Sequence, residues 1–268
     1  MTRSTRREAV AFVARRPYEN TFIHWVLEGG HGPMAADEIV LHRNAGGAIT
    51  GAIYFGTQLV VAADTDEAID AFAIETRRHP GMRSFVGPKI RIERLWQRVR
   101  SWHRPPVFVR ARQPIYIVRP ELLVPTPPLD VRPATLAEAE IVIENSAEMM
   151  IGELGYDPRA NRVSFGAGIR RAIGLAQWWV HVDDGRLKFQ LNVGPRSEAT
   201  AQLQGVWTPP PFRKRGYAFN ALGQIAARLL AVNPTLSLYV NDFNGDAIAL
   251  YERLGFVCVG EMSTLLFT

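Results

Sequence analysis

Two stretches of this 268-residue chain hold residue types that can do chemistry together. The first is Gly205-Val206-Trp207-Thr208-Pro209-Pro210-Pro211-Phe212-Arg213-Lys214-Arg215-Gly216-Tyr217-Ala218, in which a strand-like run leads through a cationic loop into an amphipathic segment. A helix that starts behind such a loop points unpaired N–H groups outward. With the helix dipole and the cations at Arg213, Lys214 and Arg215, those donors suit a pyrophosphate. Gly216 lets the backbone approach the ligand closely, and Ala218 keeps the first helical turn narrow. Ala218, Leu222, Ile225 and Leu229 recur at the spacing that would seat this helix on a sheet. The loop has neither the Gly-Lys-Ser/Thr ending of a P-loop nor the three-glycine dinucleotide fingerprint.

The second stretch is Tyr239-Val240-Asn241-Asp242-Phe243-Asn244-Gly245-Asp246-Ala247-Ile248-Ala249-Leu250-Tyr251-Glu252-Arg253-Leu254-Gly255-Phe256, where Asn244, Ala247, Ile248 and Tyr251 share one helical face. Together the two stretches resemble the acetyl-CoA-binding motif and the Asn-x-x-Ala-x-x-Leu-Tyr-x-x-x-Gly-Phe motif of the GNAT superfamily of N-acetyltransferases. The resemblance implies acetyl-CoA as cosubstrate and a sheet splayed open after the strand ending at Val206 and Trp207. Val206, Trp207 and Thr208 would lie along the pantetheine arm, Arg213, Lys214, Arg215, Gly216, Tyr217 and Ala218 around the pyrophosphate, and Asn244 against the pantetheine. Tyr251 matches the tyrosine that protonates the departing thiolate in many members; the alternative is that it only packs on its helix. A phenol of pKa about 10 can serve a thiolate of pKa near 8.5 when the two are held close.

An amine acceptor must lose a proton before it attacks, and the oxyanion that develops needs a donor, for which the N–H near Val206 is placed. Glu148 and Glu153 lie where the first helices of this half join, a segment that borders the acceptor cleft in the superfamily. Glu153 is the preferred base, with proton removal through ordered water the competing route, and Met149, Met150 and Tyr156 can line the cleft. Transfer is expected to be direct, in a ternary complex, because Cys258 sits on the wrong element for an acyl-enzyme.

The elements that must hold these residues read as β-α-α-β-β-β-α-β-α-β from Leu129 onward. A strand spans Leu129 to Arg132, and Thr135 to Glu138 forms a capping box for a helix to about Met150. A helix follows Asp157-Pro158, and a hairpin turns at Asp183-Asp184-Gly185. Prolines 120, 125, 127 and 128 mark a linker, so the chain divides into residues 1–124 and 128–268. The first part reads in nearly the same order, with strands at Arg83 to Val86, Val107 to Val109 and Ile115 to Val118 around a helix at Lys89 to Trp102. Asn44 to Ala63, although uncharged, reads as two strands split at Gly56-Thr57 and not as a membrane span, so no membrane partner is expected. The fold class is therefore a mixed α/β sheet carrying tandem GNAT-like halves. More specifically, Phe189 to Val193, Gln204 to Trp207 and Leu238 to Asn244 resemble bacterial two-domain GNAT proteins whose N-terminal domain has no known function. Val86-Gly87-Pro88 before Leu95-Trp96, and Val109-Arg110 before Gln113-Pro114, resemble that family's N-terminal signatures. In the first half Asp64, Asp66 and Glu67 stand where the second has Arg213, Lys214 and Arg215, so one acetyl-CoA site per chain is expected, with the first half degenerate.

Composition sets limits. With 47% hydrophobic and 10% aromatic residues the chain can bury a core in each half. The six histidines show no spacing suited to zinc, and no metal is expected. The lone Cys258 reads as a small buried hydrophobe; it excludes an internal disulfide and suits a reducing compartment, and with no signal-peptide core after Met1 to Val10 a cytoplasmic location is expected. The net charge of +5 is carried by residues 1–125, where 18 Lys and Arg face 12 Asp and Glu. Eight cations between Lys89 and Arg112 either face an anionic partner or line a helix whose Ile90, Ile92, Leu95, Trp96 and Val99 are buried while Arg91, Arg94 and Arg98 meet solvent. The acceptor is read as a small-molecule or peptide amine. Two other readings are a weak acyl-CoA sensor or partner-docking module, and a transferase that draws on charged tRNA. The last has no use for the acetyl-CoA motif, and no nucleic acid is expected. The sequence assigns no oligomeric state.

Overall fold

The computed structural model describes residues 1–32, 35–56, 58–155 and 157–267. Its first half runs α1 (Arg3–Ala14), α2 (Thr21–Leu27), β1 (Ile39–Arg43), β2 (Ile49–Phe55), β3 (Leu59–Ala63), α3 (Asp66–Thr76), β4 (Ser84–Pro88), α4 (Lys89–Val99) and β5 (Phe108–Val118). After a two-residue strand β6 (Arg132–Pro133) the second half repeats that order: α5 (Ala139–Leu154), α6 (Arg162–Gly174), β7 (Trp178–Asp183), β8 (Arg186–Arg196), β9 (Ala201–Trp207), α7 (Tyr217–Leu230), β10 (Leu236–Tyr239), α8 (Gly245–Arg253) and β11 (Val257–Leu266).

Local chemistry accounts for most of these boundaries. Asp184 and Gly185 both take positive φ, 50° and 67°, the geometry of a two-residue hairpin turn between β7 and β8. The Glu138 carboxylate accepts from the Thr135 N–H at 2.8 Å, the expected capping box, although the first turn is a 3-10 turn and α5 runs on past Met150 to Leu154. Thr65 caps α3 by accepting from the Ala68 N–H at 3.3 Å. Asn44 to Ala63 folds as β2 and β3, paired antiparallel from Gly51 with Ala63 to Phe55 with Leu59; Thr57 lies outside the described residues.

The strands form one sheet in the order β1-β2-β3-β4-β11-β5-β10-β9-β8-β7-β6. The halves therefore exchange strands. β11, the last of the chain, pairs antiparallel with both β4 and β5, and β5 pairs with β10. Helices cover both faces. Leu236, Leu238 and Val240 turn to the side of α7 and α8, while Ile115 and Met262, with Tyr239, turn to the side of α1 and α2. α5 and α6 cover Trp178, Val180 and Leu187 on that second face, and α3 and α4 cover Ile53, Val61 and Phe85 on the first.

Several expectations are corrected. The strand foreseen at Leu129 to Arg132 shrinks to Arg132 and Pro133, and those foreseen at Val107 to Val109 and Ile115 to Val118 are one strand, β5. Proline inside β5 is accommodated because Pro114 contributes only its carbonyl, which accepts from the Val240 N–H at 3.2 Å. On α4, Ile92, Leu95 and Val99 are buried as expected, but Ile90 is 48% exposed and Arg91 8% exposed, so the first turn alone departs from the expected phase. The Arg91 guanidinium reaches the Asp64 main-chain oxygen at 3.3 Å, a polar partner that permits its burial. Cys258 is exposed, not buried. The pairing register of β11 shifts between Cys258 and Gly260, and Val257 and Val259 are exposed with it, at 44% and 45%.

Candidate active site

The loop after β9 is built to leave donors open. Phe212 buries its ring at the end of a 3-10 turn, and the Arg213 guanidinium lies over the Trp207 ring at 4.5 Å while its Nε donates to the Thr208 oxygen at 3.0 Å. Lys214 and Gly216 then take left-handed φ of 59° and 82°, which reverses the chain onto α7. Among the described residues, the main-chain N–H groups from Lys214 to Phe219 have no hydrogen-bond partner, and Arg213, Lys214 and Arg215 form no ion pair. A side chain at Gly216 would meet only Asn220 Nδ2, at 3.9 Å, so the space over these amides is open and the glycine is required by its φ. The helix dipole and the free amides give this turn the character of an anion site.

The counterpart in the first half is closed. Asp64 at the head of α3 is engaged by Arg15 at 2.8 Å and Arg16 at 3.8 Å, and Asp66 by Arg94 at 2.6 Å. Arg98 pairs with Asp70 in the same seam between α3 and α4, while Arg110 and Arg112 at the end of the cationic run pair with Glu153 and Glu261 of the second half.

Beside the open loop the sheet parts. β9 and β10 run parallel but pair only at Ala201 with Leu236 and Gln202 with Ser237. Beyond that point each strand follows its other neighbour. The Val240 and Asp242 N–H groups donate to the Pro114 and Arg112 oxygens of β5, whereas β9 stays on β8 through an irregularity at Gly205, φ 58°. A cavity of about 210 Å³ fills the wedge. Gly205 and Val206 of β9 form one side of it and Tyr239 of β10 another; α5 contributes Met149 and Glu153, α8 its cap Asn244 and Tyr251, and β5 Arg110.

The electrostatics of the wedge are specific. Burial pushes the Glu153 carboxyl above its ordinary range, against the opposing pull of Arg110, whose Nη2 lies 3.4 Å from Oε2. Burial also pushes the Tyr251 phenol up, and the charge of Glu153 adds to that, so the phenol keeps its proton through the neutral range. The Tyr251 hydroxyl has no hydrogen-bond partner among the described residues; its ring packs 6.2 Å from Tyr116 and 5.8 Å from Phe256. Asn244 caps α8 by accepting from the Ala247 N–H at 3.3 Å, which leaves its NH₂ to face the cavity. Gln113 donates to Asn241 at 3.1 Å and accepts from Thr264 at 2.7 Å, locking β5, β11 and the turn before α8 together behind the wedge.

The structure therefore brings Glu153, Val206, Asn244 and Tyr251 to one cavity and sets Arg213, Lys214, Arg215, Gly216, Tyr217 and Ala218 at the neighbouring helix start. Trp207 and Thr208 join the two; the Trp207 Nε1 and Thr208 Oγ1 are buried without partners. The Tyr217 ring packs elsewhere, 5.6 Å from His181 and with Lys188 Nζ 5.5 Å above it. Glu148 is exposed and, like Met150, does not line the cavity; Tyr156 lies outside the described residues. Arg110 is the residue that sequence reasoning passed over. It was counted among surface cations, although its position in the Val109-Arg110 and Gln113-Pro114 signature was the available signal.

A family profile described as FR47-like protein matches residues 196–263, from β8 through most of β11, and one described as a domain of unknown function, DUF4081, matches residues 39–142. The sequence matches no curated protein. Solved structures similar in fold include a GNAT-family acetyltransferase from Colwellia psychrerythraea, at 10% identity and TM-score 0.58, with 93% of this chain and 89% of that one covered. A GCN5-related N-acetyltransferase from Sphaerobacter thermophilus has 16% identity and TM-score 0.57, covering 89% and 83%. A Drosophila protein has 13% identity and TM-score 0.66, covering 100% and 97%.

Proposed function

We propose that this chain, which has the GNAT fold and carries a DUF4081 segment ahead of an FR47-like one, is an N-acetyltransferase that moves acetyl from acetyl-CoA directly to a primary amine. The observation that carries the reading is the parted sheet at Val206. A carboxylate with a raised pKa and a protonated phenol meet there beside a helix start whose amides are free and whose Lys214 and Arg215 form no ion pair among the described residues. The residues fit the cosubstrate: free N–H groups at Lys214 to Phe219 and the cations Arg213, Lys214 and Arg215 would hold its pyrophosphate, and the β9 edge from Leu203 to Trp207 and Asn244 its pantetheine arm. When bound, acetyl-CoA supplies the thioester carbon that the amine attacks.

The chain's own groups divide the remaining work. Glu153 takes a proton from the acceptor ammonium, for which a raised pKa is an advantage near neutral pH. The Val206 N–H donates to the carbonyl oxygen as negative charge gathers on it. As the new C–N bond forms and the C–S bond breaks, Tyr251 delivers its proton to the departing sulfur, the second proton shed by the nitrogen passes through solvent to the phenolate, and Glu153 returns its own proton to solvent as product leaves. Met149 and Trp178 lie 3.8 and 3.5 Å from where a Gly205 side chain would start, walling that side of the wedge against water.

One observation favours a second reading, an acyl-CoA sensor. Glu153 is ion-paired to Arg110, which weakens it as a base. Calorimetry with acetyl-CoA followed by thiol release on an amine panel separates the two. Tight binding with thiol release supports the enzyme, whereas tight binding with none on any amine supports the sensor.

A further inference from the structure

On the face of the sheet opposite α7 and α8, the helix pairs α1/α2 and α5/α6 leave the central strands uncovered. A second cavity, of about 360 Å³, lies in that gap and shares Gln204 and Tyr239 with the wedge, so these two side chains form the wall between them. It belongs to both halves: α2 supplies Phe22 and Trp25, β11 Met262, and β8 and β9 Asn192 and Gln202.

Its chemistry is one-sided. Phe22, Trp25 and His31 form a ring cluster with centroid separations of 6.0, 5.6 and 5.2 Å. Burial holds the His31 pKa below its ordinary value, so that ring stays neutral. Beside them Glu19 carries a buried Oε2 that accepts no hydrogen bond, although Arg16 Nη1 lies 3.5 Å away. The opposite wall is neutral carboxamide. Asn192 donates its Nδ2 to the Gln177 oxygen at 3.3 Å, which leaves Oδ1 to accept. No lysine lines either cavity, and Arg110, held by Glu153, is the one cation among their described lining residues. In a protein of net charge +5, the described lining of this second cavity carries the Glu19 carboxylate and neither lysine nor arginine.

We infer that this cavity is the acceptor site and that it selects an elongated primary amine bearing a second ammonium group. The far ammonium sits between the Glu19 carboxylate and the faces of Phe22, Trp25 and His31, and the near amine passes Tyr239 to reach Glu153. The inference rests on the acetyltransferase reading, and adds that the first half completes the site. A partly buried carboxylate supplies the charge that an ammonium needs, and neutral rings add attraction that a methyl group does not receive.

The test compares diaminopentane with pentylamine on the full chain saturated with acetyl-CoA, measuring thiol release. Their binding to the full chain saturated with desulfo-CoA is measured by calorimetry without turnover. The expected result is a kcat/KM preference for the diamine on the order of tenfold, expressed in KM, with matching calorimetric affinities. Glu19→Gln should reduce it to about twofold while the acetyl-CoA Kd stays unchanged. Equal use of both amines by the unmutated chain, or a preference that survives Glu19→Gln, overturns the assignment while leaving the acetyltransferase reading intact. Failure of acetyl-CoA to bind at all overturns both.

Discussion

At the scale of single residues, the wedge makes Tyr251 and Glu153 a coupled pair and Arg110 the residue that sets their balance. Tyr251→Phe removes one hydroxyl from a buried ring that already packs on Tyr116 and Phe256, so the fold should tolerate it. Turnover should fall by about a hundredfold, the usual size of a lost general acid, with the acetyl-CoA Kd little changed. Equal turnover by the variant would leave Tyr251 as packing alone. For Glu153 the sign follows from burial. A base must be deprotonated, its pKa is raised, and kcat/KM should therefore decline as pH falls through a point above the ordinary carboxyl range. Arg110 pulls that pKa down, so Arg110→Met should move the acid limb to higher pH, while Glu153→Gln should abolish it. An acid limb that stays put in both variants would assign the proton transfer to ordered water. Glu153 was legible in the sequence as a carboxylate near the helix junction. Its partner was not, because Arg110 lies 43 positions away in a strand that only the folded sheet brings across.

At the scale of elements, the loop between β9 and α7 was the most legible feature, since its chemistry is local: a strand, a cationic turn, a glycine and a helix in succession. Gly216 at φ 82° has open space around it, so Gly216→Val tests conformation and not crowding. It should destabilise the chain by about 1–2 kcal/mol from left-handed strain, and by displacing the amides it should weaken acetyl-CoA binding beyond the loss expected from stability alone. Lys214→Glu with Arg215→Glu should instead leave the melting temperature nearly unchanged, because neither side chain has an ion pair to lose among the described residues. Affinity for CoA should drop by about tenfold, and the gap should close as salt rises. Thermal unfolding and calorimetry at two ionic strengths check both. The parting of β9 from β10 was foreseen only through family resemblance. Its cause, pairing of Val240 and Asp242 with β5, is tertiary. On α4 the periodicity placed Ile92, Leu95 and Val99 inward, as found, but missed Arg91 for the same kind of reason: it is drawn inward by the Asp64 carbonyl, a partner 27 positions back that periodicity cannot register.

At the scale of the whole molecule, the repeated order of helices and strands was visible in the hydrophobic pattern, but the exchange of strands was not. Alternation tells which residues of β5 and β11 face inward; it carries nothing about which strands they lie between. The linker prolines suggested two units, and the sheet shows how the chain crosses between them. Remove residues 128–268 and β4 and β5 both lose β11, the strand between them; remove residues 1–124 and β10 loses its only antiparallel neighbour while β11 loses both of its own. Each isolated half would expose unpaired edges at the middle of what is now a continuous sheet, and the second half alone would leave Met262 without the α1 and α2 residues it packs among. The expected outcome is that neither half expressed alone gives a cooperative thermal transition, that co-expressed halves assemble into a soluble complex, and that the intact chain melts in one step. Circular dichroism of the three preparations decides it. Two independent transitions in the intact chain, or a well-folded isolated C-terminal half that binds acetyl-CoA, would show that the exchanged strands are dispensable and that the active-site wedge does not depend on Arg110 and the first half's β5 for its shape.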